Sequence, residues 1–312
     1  MRWGRDSLCG CPHRLPGDQL PGGAAPPSLK GNSRMKSADD EYRYGADDLP
    51  KPKNPFYYTY AAIMKLVMYF IFGTGSVALA ILLFPLMRLF LHPQARFRVC
   101  ARRVVSASFR FFIRLMCCCG IMRVRVSDRA AFRQLKSKIV VANHPSHLDI
   151  VYMISLLPNA DCIVRGSLVR TPLRGVIKSL YIVNDQNFDE LLTQARRSLE
   201  EGGCLIIFPE GTRTPRHGTN PYKRGAARIA IETGCDVQPV YIGGNDKYGL
   251  GKHDAFFSYN RTERYFYDIC LLPAIELKDY DGLEPQIAAR RLTEKMHKRI
   301  SAEAFMRDNR IL

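Results

Sequence analysis

Two histidines, a serine and an aspartate fall within the short stretch VANHPSHLDIVY, residues 141–152: His144, Ser146, His147 and Asp149. An apolar run, residues 139–142, leads into it. Four readings compete: metal ligands, a serine nucleophile with its base, a general base with an orienting carboxylate, or a plain polar turn. Metal ligation lacks the His-Glu-x-x-His spacing, because His144 and His147 are three apart with no glutamate between them. A nucleophilic serine normally stands in a Gly-x-Ser-x-Gly elbow, whereas Ser146 lies between Pro145 and His147 and reads better as a helix cap. The general-base reading pairs His144 with Asp149. On a continuous helix the two would point about 140° apart. Pro145 stops a helix from running through His144, so the chain must turn there. Such a turn can bring Asp149 back to one ring nitrogen, fixing the tautomer and leaving the other nitrogen as the base. With seven histidines in the chain, the spacing alone does not choose among these readings.

A second polar stretch, IIFPEGTRT at residues 206–214, also ends an apolar run. Arg213 offers a planar fork suited to a phosphate, and Gly211 lets the backbone approach a ligand. The bland alternative is a surface turn with a Glu210–Arg213 ion pair. In an open α/β domain both stretches would emerge at strand ends, where ligands bind.

The surrounding pattern supplies such a domain. Short β-branched runs at residues 139–142, 162–165, 180–183, 204–208 and 237–242 alternate with helical segments. Residues 188–201 place Phe188, Leu191, Leu192, Ala195 and Leu199 on one face, and residues 224–233 end at Gly234, a natural helix stop. Upstream, residues 66–87 run 22 positions without a charge, about 33 Å of helix and enough to cross a bilayer core. Tyr57, Tyr58, Tyr60 and Tyr69 suit an interfacial belt. Residues 96–126 alternate arginine with apolar residues, which reads as a basic helix in a membrane interface. The net charge of +17 is concentrated there, since no acid occurs between Asp48 and Asp128. This favours an anionic membrane over nucleic acid and puts the basic side in the cytoplasm. The ten cysteines form no Cys-x-x-Cys pair, which fits a reduced compartment better than a disulfide framework. Residues 1–54, rich in proline, glycine and charge, read as disordered. Met35 opens a more conventional start.

Taken together, NHPSHLD and FPEGTR, about 65 residues apart, resemble the first and third blocks of the glycerolipid acyltransferase family. That family includes the 1-acylglycerol-3-phosphate acyltransferases. VQPVYIG, with Pro239, is similar to its fourth block, and YKRGAARIA to the stretch between blocks three and four. The resemblance covers roughly residues 135–275. It implies an α/β fold, a mixed sheet flanked by helices and preceded by N-terminal membrane helices. The division expected is a disordered segment 1–54, membrane and interfacial helices 55–126, an acyltransferase domain 127–280 and a C-terminal helix 281–312. By the same resemblance, His144 takes a proton from an acceptor hydroxyl and Asp149 orients it. Glu210, Gly211, Thr212 and Arg213 hold the acceptor head, Arg213 on its phosphate, with Lys223 as a second cation. No metal and no cofactor are implied. The co-substrate is acyl-CoA or acyl-loaded acyl carrier protein, and membrane lipids are the main partners, with no nucleic acid. The implied place is the inner cell membrane, catalytic domain on the cytoplasmic face. The acceptor implied is lysophosphatidic acid, giving phosphatidic acid; another lyso-lipid or specialised membrane lipid, or lipid binding without catalysis, are the alternatives. One departure bears on the acceptor: SLYIVNDQ puts Asn184 and Asp185 where the second block usually ends in an arginine. Arg165, Arg170 and Arg174 stand upstream to compensate.

Overall fold

The computed structural model describes residues 49–165, 181–184, 187–216 and 220–308. Most of the segment expected to be disordered, and Arg170, Arg174 and Asp185, lie outside the described residues.

The fold opens on one helical run, Pro55–Phe90. It comprises α1 (Pro55–Ala78), a π-helical stretch (Leu79–Leu83) and α2 (Phe84–Phe90). Asn54 caps it by accepting from the Tyr57 N–H at 3.0 Å, and Pro55 fills a first-turn position where no donor is missed. The π-helical stretch lies in the turn before Pro85, whose ring and missing N–H disturb a regular ladder. Among the described residues this is the one helix long and apolar enough to cross a membrane, with a mean hydropathy of 2.2 in its most apolar window. For the plural expected of the membrane helices, the described residues offer this one by length and hydropathy.

The helix that follows, α3 (Gln94–Cys118), differs from its sequence reading. Two arginines expected among headgroups, Arg98 and Arg102, are buried in the protein. Arg98 pairs with Glu201; Arg102 pairs with Asp161 and reaches Asn159 and Glu201, each at 3.2 Å. The helix also stops earlier than expected. Gly120 turns the chain at φ +71°, and strand β1 (Met122–Val126) follows. Its alternation of Met122, Val124 and Val126 with Arg123 and Arg125 has the period of a strand, not a helix.

Next come α4 (Arg129–Gln134), β2 (Ile139–Ala142), α5 (Asp149–Leu156), β3 (Ala160–Arg165), β4 (Ile182–Asn184), α6 (Phe188–Glu200) and β5 (Cys204–Ile207). They are followed by α7 (Gly225–Thr233), β6 (Val237–Gly244), β7 (Tyr265–Leu271) and α8 (Pro285–Asp308). Among the described residues, seven strands form one mixed sheet in the order β1-β7-β6-β2-β5-β3-β4. Only the β6–β7 pair is antiparallel. The central strand β2 is buried at every position, as befits a strand covered on both faces. Helix α6 buries Leu191, Ala195 and Leu199, the face its periodicity predicts. Gly234 ends α7 in the left-handed region at φ +67°. Helix α8 is part of this domain: Ala288, Ala289, Leu292, Met296 and Ile300 share a core with β2, β5 and β6.

Candidate active site

Strands β2 and β5 are parallel neighbours, with Val141 opposite Ile207. Both polar stretches therefore leave the sheet at the same edge, although 66 positions separate His144 from Glu210. Asn143 extends β2 by side chain: its amide donates to the Ile242 carbonyl and its oxygen accepts from the Ile242 N–H, both at 2.8 Å. The two stretches are stitched together directly. The His144 N–H donates to Thr214 Oγ1 at 3.0 Å and to Glu210 Oε1 at 3.2 Å, and the Thr214 N–H donates to the His144 carbonyl at 2.7 Å.

Pro145 turns the chain and Asp149 starts α5, and the two expected partners meet. His144 Nδ1 lies 2.9 Å from Asp149 Oδ2. That carboxylate is fully buried and also receives the Ser146 N–H at 2.7 Å on Oδ2 and the Ser146 hydroxyl at 2.5 Å on Oδ1. An ionised carboxylate only accepts, so Nδ1 carries the proton and Nε2 is the basic nitrogen. The imidazole stacks on Phe208, ring centres 4.2 Å apart, and its side chain is 20% exposed. Ser146 is fully buried. Its one hydrogen goes to Asp149, so Tyr267 Oη, 2.8 Å away, must donate to it. Burial pushes the Tyr267 pKa well up, which keeps this donor neutral. A serine so placed orients Asp149 and has no path to a substrate.

His147 has a separate role. Its Nδ1 lies 2.9 Å from the Leu250 carbonyl, which can only accept, so Nδ1 carries the proton. Nε2 then accepts from Tyr69 Oη on α1 at 2.7 Å. Both ring nitrogens are engaged in joining α1 to the site. Burial, and secondarily Arg213, hold its pKa below the ordinary value of 6.5. The neutral ring is thus favoured in the fold. Its contribution to stability is complete above pH 6.5 and is lost as pH falls below that value. Unfolding midpoints at pH 7.5 and 5.5 should show this loss, and His147→Gln should show less of it. An equal loss in the variant would put the pH sensitivity elsewhere.

Among the residues expected to hold an acceptor, Glu210 and Arg213 also have protein partners. Glu210 is buried; its oxygens accept from Thr214 Oγ1, Asn220 Nδ2 at 2.8 Å and the His144 N–H. Burial pushes its pKa up against these donors. Its contacts support the turn that carries His144 and do not leave it facing an open site. Gly211 lies at φ +68°, a conformation that favours glycine, with the Lys223 ammonium close above it. Lys223 itself is exposed and Thr212 half-buried. Arg213 Nη1 donates to the Gly251 carbonyl at 2.7 Å, anchoring the loop that follows β6. The links of Tyr69 to His147 and of Tyr267 to Ser146 had no sequence signal, since 78 and 121 positions separate the partners.

The acyltransferase family model matches residues 123–243, which contain both polar stretches. The chloroplastic 1-acyl-sn-glycerol-3-phosphate acyltransferase BAT2 of Brassica napus is 30% identical over 115 residues, 35% of this chain and 33% of that protein. The 1-acyl-sn-glycerol-3-phosphate acyltransferase of Helicobacter pylori is 32% identical over 115 residues, 34% of this chain and 48% of that protein. The match thus spans less than half of either relative. The crystal structure of the 1-acyl-sn-glycerophosphate acyltransferase PlsC from Thermotoga maritima shares the fold, with a TM-score of 0.56 and 21% identity, covering 78% of this chain and 96% of that one. With NHPSHLD and FPEGTR brought to one sheet edge and a mixed sheet behind them, residues 123–243 of the chain are similar to the acyltransferase family.

Proposed function

We propose that this chain is a membrane-associated O-acyltransferase that moves an acyl group from a thioester to the hydroxyl of a lysophospholipid. The observation that carries the reading is the His144–Asp149 pair, with Nδ1 fixed at 2.9 Å and the basic Nε2 left for an acceptor hydroxyl. His144 takes the hydroxyl proton as the oxygen attacks the thioester carbonyl. The tetrahedral intermediate collapses, the carbon–sulfur bond breaks and the thiolate leaves, collecting the proton from the imidazolium. A thiol is a competent leaving group, so no acyl-enzyme is needed. The donor is acyl-CoA or acyl carrier protein; neither a metal nor a cofactor has a step in this scheme.

Lysophosphatidic acid is the proposed acceptor, supported by the relatives' being 1-acyl-sn-glycerol-3-phosphate acyltransferases. Arg213, Thr212, Gly211 and Lys223 are the groups proposed around its phosphate, and Glu210 supports them from behind. Helix α1 packs on α3 through Phe72 against Phe109 and Phe112, and its Tyr57 hydroxyl donates to the Gly120 carbonyl just beyond α3. The proposed place is the inner cell membrane, with the catalytic domain on the cytoplasmic face, a reading supported by the arginine excess of residues 96–126.

Purified protein with acyl-CoA and acyl carrier protein donors should acylate lysophosphatidic acid in preference to zwitterionic and non-phosphorylated lyso-lipids. Arg213→Lys should raise the acceptor KM more than the donor KM, because lysine keeps the charge and loses the fork. Better use of a zwitterionic acceptor, reversed by Asp185→Arg, would favour a different lyso-lipid. No turnover with any acceptor would favour a non-catalytic lipid-binding protein.

A further inference from the structure

Antiparallel strands β6 and β7 are joined by residues 245–264, far longer than the two to five residues of an ordinary hairpin loop. The loop is braced from within. Asp254, whose side chain is 4% exposed, accepts from the Gly249 and Gly251 N–H groups at 2.8 and 2.7 Å and takes both arms of Arg216. Gly249, at φ +91°, leaves no room for a Cβ, which would stand 2.4 Å from the Ser258 carbonyl. The two arms of the loop are therefore pressed together. The loop is also tied to α1: the buried Lys65 ammonium donates to the Gly249 carbonyl at 3.1 Å and to the Ser258 carbonyl.

On this rigid base stand two adjacent phenylalanines. Phe256 is 57% and Phe257 71% exposed, in edge-to-face contact at 5.4 Å. Phe256 stacks on Tyr69 of α1 at 5.1 Å. Its neighbour on α1, Phe70, is 71% exposed, and Ile63 and Val67 continue the apolar surface. Two exposed phenylalanines on a braced loop cost solvation unless something covers them. Here Phe256, stacked on Tyr69, joins them to the helix apolar enough to enter a membrane.

We infer that residues 245–264 form a second membrane-contact element, with Phe256 and Phe257 entering the same lipid leaflet as α1. The inference rests on the reading of Pro55–Phe90 as membrane-embedded. It adds a second point of support, and two points fix tilt where one helix alone leaves it free. The loop also carries the Leu250 carbonyl that accepts from His147 and the Gly251 carbonyl that accepts from Arg213. Seating the tip in lipid thereby sets the height of the site above the leaflet.

Trp3 is the only tryptophan, so a Trp3→Phe background makes single reporters practical. In full-length protein, Phe257→Trp and, separately, Phe70→Trp are mixed with phosphatidylcholine–phosphatidylglycerol vesicles carrying brominated acyl chains. Both emissions should shift to the blue and be quenched, and Phe257→Ser should weaken vesicle partition several-fold. Quenching of the Phe70→Trp reporter without the Phe257→Trp reporter would overturn this inference alone, leaving the tip to water or another protein. Quenching of neither would overturn the membrane reading with it.

Discussion

Replacing His144 with alanine should lower the acyl-transfer rate by about 10²–10⁴-fold, the range that a positioned general base contributes. The loss should be chemical and not structural. The main-chain bonds of residue 144 to Glu210 and Thr214 survive the change, and what goes is a partly exposed ring stacked on Phe208. Asp149→Asn should be damaging for a different reason. The carboxylate receives three protein donors, His144 Nδ1, the Ser146 N–H and the Ser146 hydroxyl. An amide offers one acceptor oxygen and sets an N–H₂ group against a donor, which turns the imidazole tautomer or displaces the ring. Ser146→Ala keeps both Oδ2 bonds, and its activity should stay within about tenfold, since the serine orients and does not attack. It should cost stability of about 1–3 kcal/mol, because the buried Tyr267 hydroxyl loses its acceptor. Thiol release during turnover, measured on folded protein, checks all three. An active His144→Ala beside an inert Ser146→Ala would replace this mechanism with a serine nucleophile.

What could be read in the sequence was what depends on near neighbours. His144 and Asp149 meet across a turn that Pro145 dictates, so five positions of sequence contain the geometry. The periodicity of α6 and the glycine after α7 are equally local. The role of Glu210 in supporting the His144 turn was hidden because the His144 N–H reaches it only once β2 and β5 lie side by side. The arginines of α3 misled in the same way. Arginine alternating with apolar residues is what an interfacial helix looks like, and nothing nearby announces that Asp161 and Glu201 will neutralise Arg98 and Arg102. Strand β1 did carry its own signal, MRVRV, but it followed the helix so closely that the helical reading ran through it. The link from Tyr69 to His147 spans 78 positions and has no local trace.

Arg102→Ala should destabilise the fold by about 3–5 kcal/mol, the range for removing one partner of a buried ion pair. Arg102 and Asp161 side chains are each 4% exposed. The guanidinium lays Nε, at 3.1 Å, and Nη2 on the carboxylate, and its Nη1 reaches Asn159 and Glu201. Alanine leaves Asp161 buried without its counter-charge. Glu201 fares better, since Arg98 still pairs with it. Burial already pushes the Asp161 carboxyl up, with Arg102 pulling it down; without the arginine the rise should be larger. A carboxyl whose pKa is raised by folding stabilises the fold when protonated, so the penalty should be full above the raised folded-state value. It should shrink as pH falls through that value and disappear below the ordinary carboxylate range. The wild type, with Asp161 paired, should gain less on acidification. Arg102→Lys should fall between, keeping charge and losing the fork. Joint replacement by apolar residues, Arg102→Met with Asp161→Leu, should recover much of the loss, because neither charge is then left unpaired. Denaturant midpoints in detergent micelles from pH 4.5 to 7.5 would test the series. A loss under about 1 kcal/mol, independent of pH, would mean that water reaches Asp161 and that the pair behaves as a surface bridge.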